Sequence, residues 1–572
     1  MELFSEIVEF IGGILTWPLV IGLLGTGLFL TVRLGFIQFR RLGHGFAVTS
    51  GKYDDPDEPG DVSHFQALTT ALSATVGVGN IAGVAMAIHF GGPGALFWMW
   101  VTALLGMATK YSEVTLAQHY RVQETQEPGK KWKGSVSGGP MYYIEKGLGP
   151  NWKPVAMFFA FALMLTSFMT GNAVQANTIA TQMYDVFGLD TWITGLLTAS
   201  VVGVVIIGGI SRIGKVTSIV APVMASVYVL GALIILGMNV GDIPGAFATI
   251  FTEAFNPTAG VAGTGIGVFL TTMTYGVQRG LFSNEAGQGS APIAHSAAKT
   301  DEPVSEGVVA LLEPFIDTIL ICTMTGLVLI ITGVFTLQTD TRLDLQNNNV
   351  SFVSPTEAGG FDSADAPATI TITDGQASGD VQVGYIGIGV EELFVDEAQT
   401  TPFSGTIDTA TLTATATDGT TYTELYGLAY RHSAPLTTLG FERGLEPIGL
   451  GGMGKWIVLI SVLLFAISTS ISWSYYGDRC ANYLFGEAGI LPFKAIFLVM
   501  HFLGAVVTVT TVWDLGDVAL SLVTIPNVLA LLLLSGTLVK LTNSYFERQP
   551  WVENAEVHKR VVAEKKAAKG KK

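Results

Sequence analysis

Apolar residues run in blocks of about twenty along this chain, the length a helix needs to cross the roughly 30 Å hydrocarbon layer of a bilayer. Eleven such blocks are readable, near 11–33, 65–89, 93–119, 155–185, 191–210, 216–238, 263–295, 307–335, 455–478, 491–512 and 517–541. The pattern predicts an all-α polytopic membrane protein. One stretch breaks the rhythm. Residues 337–452 carry short runs rich in Thr, Val and Ile, at 368–373 (ATITIT), 381–390 and 411–417, with Asp-Gly pairs at 374–375 and 418–419. Such runs closed by Asp-Gly are a hairpin signature. A small β-rich insert is expected there, either a docking or gating module or a plain solvated decoration.

Basic residues orient the spans. Arg33, Arg40 and Arg41 follow the first block, Arg121, Lys130, Lys131 and Lys133 the third, Arg212 and Lys215 the fifth, and Lys299 the seventh. A tail with Lys559, Arg560, Lys565, Lys566, Lys569, Lys571 and Lys572 closes the chain. If spans alternate, all of these fall on one side, expected to be the cytoplasm of a prokaryotic cell (inner) membrane. The N-terminus and the insert then face outward and the C-terminus inward. Glu2, Glu6 and Glu9 stand where a signal peptide carries its cationic start, so the first block is expected to be retained. The expected organisation is an extra helix and loop (1–62), a five-helix unit (63–240), the start of a second unit (241–336), the insert (337–452), the rest of the second unit (453–541) and a basic tail (542–572).

Composition agrees. Of 572 residues 13% are charged, with a mean hydropathy of +0.49; soluble proteins carry about 25% charged residues. The formal charge is −16, and 337–452 alone holds sixteen Asp and Glu against three Arg and no Lys. A basic nucleic-acid binder is excluded. Cys322 and Cys480 lie in apolar blocks and are read as buried thiols, not as a disulfide or a metal site.

Two blocks contain what a membrane helix ordinarily avoids, because freed backbone groups in hydrocarbon cost several kcal/mol each. The second reads ALSATVGVGNIAG from Ala71 to Gly83, and the seventh reads RGLFSNEAGQGSAP from Arg279 to Pro292. If blocks two to six and seven to eleven are two units, each interruption lies in the opening helix of its unit. The odd count within each unit inverts the second against the first. Paired interruptions of this kind point to a transport site at mid-membrane. Unwound carbonyls offer oxygen ligands to a hard cation, and a half-helix N-terminus suits a carboxylate. Close packing through small residues is the alternative.

Block nine carries Ser468, Thr469, Ser470, Ser472 and Trp473, with Phe465, Thr469 and Trp473 on one face. Its hydroxyls are uncharged oxygen ligands suited to a sodium ion that must also leave, unless they bond back to their own helix. In block four Gly171, Gln175 and Thr178 share a face, so Gln175 either reaches a carboxylate or an interrupted backbone, or bridges helices. Arg279 and Glu285 flank the seventh-block interruption and are assigned a gating or break-stabilising role. Lys110 and Glu113 are expected to pair within their helix. Glu313 and Asp317 are read as polar inner-end residues, with a proton path as the alternative. His64, His89, His119 and His295 lie near block ends without metal-like partners. No catalytic constellation stands out, so an enzyme is not expected.

The blocks ALSATVGVGNIAGV (Ala71–Val84), SGGPMYY (Ser137–Tyr143), GLFSNEAGQGSAP (Gly280–Pro292) and SWSYYGD (Ser472–Asp478) together resemble the alanine or glycine:cation symporter (sodium:alanine symporter) family. The resemblance covers the chain apart from 337–452. It implies a leucine-transporter-type inverted five-plus-five repeat preceded by one extra helix, eleven spans in all. It also implies sodium-coupled uptake of small neutral amino acids such as alanine and glycine, with protons used in some members. By motif, the Val78 and Gly79 amides would meet the substrate carboxylate, with Thr75 and Gly77 beside them and Asn80 supporting the interruption. Backbone oxygens of Ser73 and Val76 and the hydroxyls of Ser468 and Thr469 would hold Na⁺. Phe282, Thr469 and Trp473 would limit the substrate side chain. The sequence departs from the family pattern at Val78, where Thr is expected, and at Ser472, where Gly is expected. Expected partners are a small neutral amino acid and membrane lipids, with no nucleic acid and no obligate protein partner. The competing readings are an outward-facing sensor or adhesion protein working through the insert, and a transporter of the same fold for glutamine or D-alanine.

Overall fold

Helices form where the apolar blocks lie. The computed structural model describes residues 2–55, 57–123, 136–257, 266–346, 350–355, 361–385, 388–507 and 509–569. Lys130, Lys131, Lys133, Lys571, Lys572 and the start of the seventh block at 263–265 lie outside the described residues.

α1 (Glu2–Arg33) turns by 79° into α2 (Ile37–Thr49), a helix the hydropathy pattern did not announce. Gly35 and Phe36 make the elbow, both left-handed at φ 62° and 57°, with the Phe36 amide closing back on Thr31 O at 2.8 Å. α2 buries Ile37 and Val48 and exposes Phe39 and Phe46, as the elbow exposes Phe36.

α3 (His64–Thr75) starts at a reciprocal cap. Gln66 N–H donates to Ser63 Oγ at 3.2 Å, and Ser63 N–H to Gln66 Oε1 at 3.1 Å, which satisfies donors a helix start leaves free. After a 49° interruption the chain continues as a π turn (Gly79–Gly83) and α4 (Val84–Gly91). α5 (Ala95–Tyr120) and the short α6 (Pro140–Leu148) follow. α7 (Lys153–Phe168) and α8 (Val174–Phe187) are joined by a π turn at Met169–Ala173, and α9 (Thr191–Ile206) leads to α10 (Gly209–Met238). α11 (Ile243–Phe255) is a further apolar helix that the block reading missed.

α12 (Ile266–Asn284) and α13 (Ala291–His295) flank the second interruption. α14 (Pro303–Ala310), α15 (Leu312–Pro314), a π stretch (Phe315–Cys322) and α16 (Thr323–Thr332) form one apolar rod. After the insert come α17 (Ser433–Leu445), α18 (Gly451–Phe485), α19 (Ile490–Val506), α20 (Val509–Arg548) and α21 (Trp551–Lys569). Among the described residues six helices are long and apolar enough to cross a membrane, or eight if each bent pair is one span. The protein is therefore a mostly helical, multi-pass membrane protein.

The insert is β-rich from Gln338 to Tyr430. Its central antiparallel pair runs from Glu424 opposite Asp344 to Tyr430 opposite Gln338. A five-stranded sheet contains Thr369–Thr373, Gly405–Asp408 and Thr413–Ala416. Both Asp-Gly pairs turn hairpins, with Gly375 at φ 81° and Gly419 at φ 88°. Within the range expected for the insert, Ser433–Leu445 is helix α17, and its Thr437 Oγ1 donates to Ile81 O in the first interrupted helix at 2.9 Å. The basic tail is likewise helical in α21, where Trp551 lies edge-on to His44 of α2 with ring centres 4.6 Å apart.

One strap positions both interrupted helices at the same end. The Asp61 and Val62 amides donate to Ala297 O at 2.8 and 3.2 Å, and the Lys299 amide to Val62 O at 2.9 Å. The Arg121 guanidinium fastens this seam by donating to the carbonyls of Pro59, Ser296, Ala298 and Thr300. The segment entering α3 is thus tied to the segment leaving α13.

Candidate functional site

α3 ends at Thr75, and Gly77 and Gly79 follow in a crowded place. A Cβ on Gly77 would stand 2.5 Å from Thr469 Oγ1, and one on Gly79 3.1 Å from Phe282. Asn80 caps the interruption from within, its Oδ1 accepting the Gly77 amide at 3.0 Å. In the second interruption Glu285, Gly287 and Gly289 all have positive φ, and Asn284 Oδ1 accepts the Ala286 amide at 3.0 Å. Gln288 Nε2 donates to Leu281 O at 2.9 Å, and the Gly289 amide donates to Glu113 Oε1 at 2.9 Å.

The two interruptions face α18. Thr469 Oγ1 lies 3.0 Å from Ser73 O and 3.1 Å from Ala74 O, and Ser468 Oγ lies 3.4 Å from Ser73 O. Ser468 also bonds back to Phe465 O at 2.9 Å, so both readings of that hydroxyl apply. Val76, just past the end of α3, closes the last turn with its amide on Leu72 O at 2.7 Å. Ser73 Oγ is buried without a hydrogen-bond partner among the described residues. Two side-chain hydroxyls and neighbouring carbonyls therefore converge in one place as an uncharged all-oxygen set, the chemistry that suits a hard monovalent cation.

Beside this set, the Val78 amide donates to Gln175 Oε1 at 3.4 Å while Gln175 Nε2 donates to Thr170 O at 3.1 Å. Gln175 thus meets the interrupted backbone. Thr75 bonds back to Ala71 O at 3.3 Å. Trp473 is fully buried, and its indole N–H donates to Glu285 Oε1 at 2.9 Å. A Cβ on Gly171 would stand 2.3 Å from Trp473 Cγ, so the π turn in block four exists where the indole needs room. Phe282 is buried against Gly79.

The remaining polar residues find partners mostly on other helices. Arg279 pairs with Asp517 of α20 and lies 5.6 Å from the Phe282 ring, while Glu285 takes the Trp473 and Ser290 donors. Lys110 pairs across helices with Glu313 at 3.2 Å, and Glu113 turns to Gly289 and Asn527; residues three apart do share a face, but the packed helices offer each of them a directly bonded partner. Glu313 and Asp317 are fully buried. His64 and His295 both contact Glu306.

Asp317, read from the sequence as a polar inner-end residue, lies between the two interruptions. Its carboxylate receives Asn80 Nδ2 at 2.6 Å from the first interruption and Ser283 Oγ at 2.7 Å from the end of α12, beside Thr318 Oγ1 at 2.7 Å. Thr325 supports the same place, donating to Asn80 O at 2.8 Å. The available signal was an acid inside the apolar run FIDTILIC.

A model of the sodium:alanine symporter family matches residues 1–356 and 398–559. The chain belongs to that family. Sodium/alanine symporter AgcS of Methanococcus maripaludis is 39% identical over 547 residues, covering 95% of this chain and 98% of its own. The putative sodium/proton-dependent alanine carrier protein YrbD of Bacillus subtilis is 32% identical over 536 residues, 93% of this chain and 90% of its own. The probable sodium/glutamine symporter GlnT of Bacillus subtilis is 37% identical over 336 residues, 58% of this chain and 67% of its own. Membership makes this protein a transporter that uses sodium as its coupling ion, not an enzyme. The family match pauses only at 357–397, so less of the insert stands outside the family pattern than the 337–452 reading supposed. α17 belongs to the matched part.

Proposed function

We propose that this sodium:alanine symporter family member takes up small neutral amino acids such as alanine and glycine into the cell together with Na⁺, by alternating access. The observation that carries this is the pairing of two features at one interruption. Ser468 and Thr469 hydroxyls meet the Ser73 and Ala74 carbonyls, while the Val78 amide reaches out to a neutral oxygen of Gln175. The first is cation chemistry. The second is a donor that a substrate carboxylate would take over, with the Gly79 amide and the dipole of the following half-helix adding to it.

Na⁺ is cargo here, held by Ser73 and Val76 oxygens with Ser468 and Thr469. Two opposite unit charges about 4 Å apart attract by about 4 kcal/mol at an effective dielectric near 20. Ion and amino acid therefore favour each other's binding, and the coupling is reciprocal. Asn80 keeps the interruption open, and Thr75 and Gly77 border it. Phe282 packs against Gly79 and Trp473 against Gly171, and two such bulky walls beside the first interruption favour a small substrate side chain, alanine or glycine over glutamine. Arg279 with Asp517, and Glu285 with Trp473, hold the second interruption in shape.

In this reading the bundle is a leucine-transporter-type inverted repeat of eleven spans, 63–240 against 241–336 with 453–541, after one extra helix. The N-terminus and the acidic β-rich insert face outward and the C-terminus lies in the cytoplasm of a prokaryotic cell. The test is uptake of labelled alanine by proteoliposomes with and without an inward Na⁺ gradient. Gradient-driven accumulation is expected; uptake indifferent to Na⁺, or absent for every small amino acid, would overturn the reading.

A further inference from the structure

The central site leaves unused a polar cavity of about 240 Å³ beside the insert. Its walls include Gln182 of α8, Thr438 and Glu442 of α17, Lys455 near the start of α18, Thr339 of the insert, and Arg431 where the insert returns to α17. The volume lies below the roughly 300–1,000 Å³ of pockets for drug-sized ligands. It suits a smaller molecule. A neighbouring cavity of about 470 Å³ shares Arg431 and adds Arg342, Asp344 and Asp190 to the charged lining.

The charges of the smaller cavity are held in place by neutral groups. Arg431 donates through Nε to Thr339 Oγ1 at 2.8 Å and through Nη2 to Asp340 O at 3.4 Å. Lys455 and Arg431 act on Glu442 through their charge, with no hydrogen bond from either among the described residues. Gln182 is oriented by its neighbour. The Thr438 hydroxyl gives its one proton to Ala434 O at 3.1 Å, so it can only accept from Gln182 Nε2, also at 3.1 Å. The amide oxygen is then turned away from Thr438, and Gln182 Oε1 is buried without a hydrogen-bond partner among the described residues. Such an acceptor is costly until a donor meets it.

Two kinds of contact are thus offered within one small space. A pair of cations suits a carboxylate, while Glu442 and the Gln182 oxygen suit an ammonium. Charge balance favours a ligand that carries both. Over the two cavities Arg342, Arg431 and Lys455 face Asp190, Asp344 and Glu442, an even balance that a zwitterion leaves undisturbed and a lone anion or cation does not. The insert, with sixteen acids against three Arg across 337–452, also disfavours the approach of a free anion.

Position ties this cavity to the central site. Gln182 stands seven residues after Gln175 on α8, two turns along the same face and so about 10 Å away along the helix. α17 touches both places. Its Thr437 donates to Ile81 O of the first interruption at 2.9 Å, and the next residue, Thr438, receives Gln182. One turn of α17 therefore closes over the interruption and walls the cavity at once.

We propose that this cavity is a second amino-acid site, in which Arg431 and Lys455 take the carboxylate of a small neutral amino acid, Glu442 and Gln182 take its ammonium, and α17 keeps it apart from the central site. The inference rests on the transporter reading above for its substrate and adds a staging site on the insert side of it.

The test is equilibrium binding of labelled alanine to the full chain in lipid nanodiscs, once in Na⁺ and once with Na⁺ replaced by K⁺. A fraction that persists in K⁺ is expected, displaced by unlabelled glycine and not by acetate or methylamine, each of which carries only one of the two charges. Lys455→Gln should abolish that fraction and leave the sodium-dependent one, which also reports that the variant is folded. Arg431→Gln is the second variant and should do the same. Sodium-dependent binding alone, a persistent fraction untouched by both substitutions, or one displaced equally by acetate overturns the staging site and leaves symport standing. A persistent fraction sensitive to Lys455→Gln without any sodium-dependent binding upholds the cavity and counts against the central site as read above.

Discussion

Asn80 and Asp317 are 237 residues apart in sequence, yet Asn80 Nδ2 donates to both the carboxylate and the backbone carbonyl of Asp317, at 2.6 and 3.1 Å. Asn80 shapes the first interruption, and Asp317 also takes the Ser283 hydroxyl next to the second. One buried carboxylate thereby holds both interruptions at a fixed spacing. Asp317→Ala would leave the Asn80 amide and two hydroxyls without their acceptor, at about 1–3 kcal/mol for each buried unsatisfied group. A marked loss of thermal stability in detergent and near-complete loss of alanine uptake are expected, whereas Asp317→Asn should keep more of both.

Thr469 contributes a hydroxyl to the oxygen set without being needed for packing shape, so Thr469→Val is nearly isosteric. Loss of one oxygen ligand should raise the half-saturating Na⁺ concentration roughly tenfold, equivalent to about 1.4 kcal/mol, with expression and alanine selectivity little changed. Sodium titrations of uptake measure this. An unchanged sodium dependence would separate Thr469 from the ion.

Gly171 faces Trp473 at a distance where no side-chain carbon fits, 2.3 Å from Cβ to Cγ. Overpacking a close contact typically costs 1–3 kcal/mol. Gly171→Ala is expected to displace the indole from Glu285 and cut uptake by about an order of magnitude, at 1.4 kcal/mol per factor of ten. The second substitution Trp473→Phe should recover part of the lost stability, read as the melting temperature of the two variants.

Tail docking should depend on pH. Glu58, in the loop before α3, accepts Asn554 Nδ2 of α21 at 3.3 Å. Burial pushes its carboxyl up to about 7 from an ordinary 4.5, with the Asp301 carboxylate adding to the rise and the Asp301 backbone and His64 opposing it. A raised value means that the folded arrangement holds the proton more tightly than the free segment. The stabilisation is complete below about 4.5 and is lost as pH rises through about 7. Proteolysis or hydrogen exchange of α21 should therefore be faster at pH 8 than at pH 6. Glu58→Gln should flatten the difference.

Much of the site was legible in the chain. Closely spaced glycines with polar neighbours have no use in a plain membrane helix, so the interruptions at Gly77–Gly79 and Glu285–Gly289 could be placed from the sequence alone. The hydroxyls at Ser468 and Thr469 stood out for the same reason. The partners of long charged side chains could not be placed in this way. Lys110 had an acid three residues away and pairs with Glu313 instead, and Arg279 pairs with Asp517, 238 residues further on. Such choices depend on which helices pack together, and helix spacing within one block carries no record of that. α2, α17 and α21 were missed because their apolar faces are narrow and become visible only against the surfaces that cover them.

By itself the sequence determined the solvent this protein lives in, the places where its helices must break, and the family it belongs to. These follow from local free energies: twenty apolar residues favour lipid, and glycines with unpaired amides do not continue a helix there. Tertiary structure alone decided that Asp317 joins the two interruptions, that Gln175 answers the Val78 amide, that Arg121 closes the seam, and that two histidines share Glu306. Each depends on burial and on distances between segments hundreds of residues apart, and in a dry interior the pairing that leaves the fewest polar groups unsatisfied prevails over proximity in sequence.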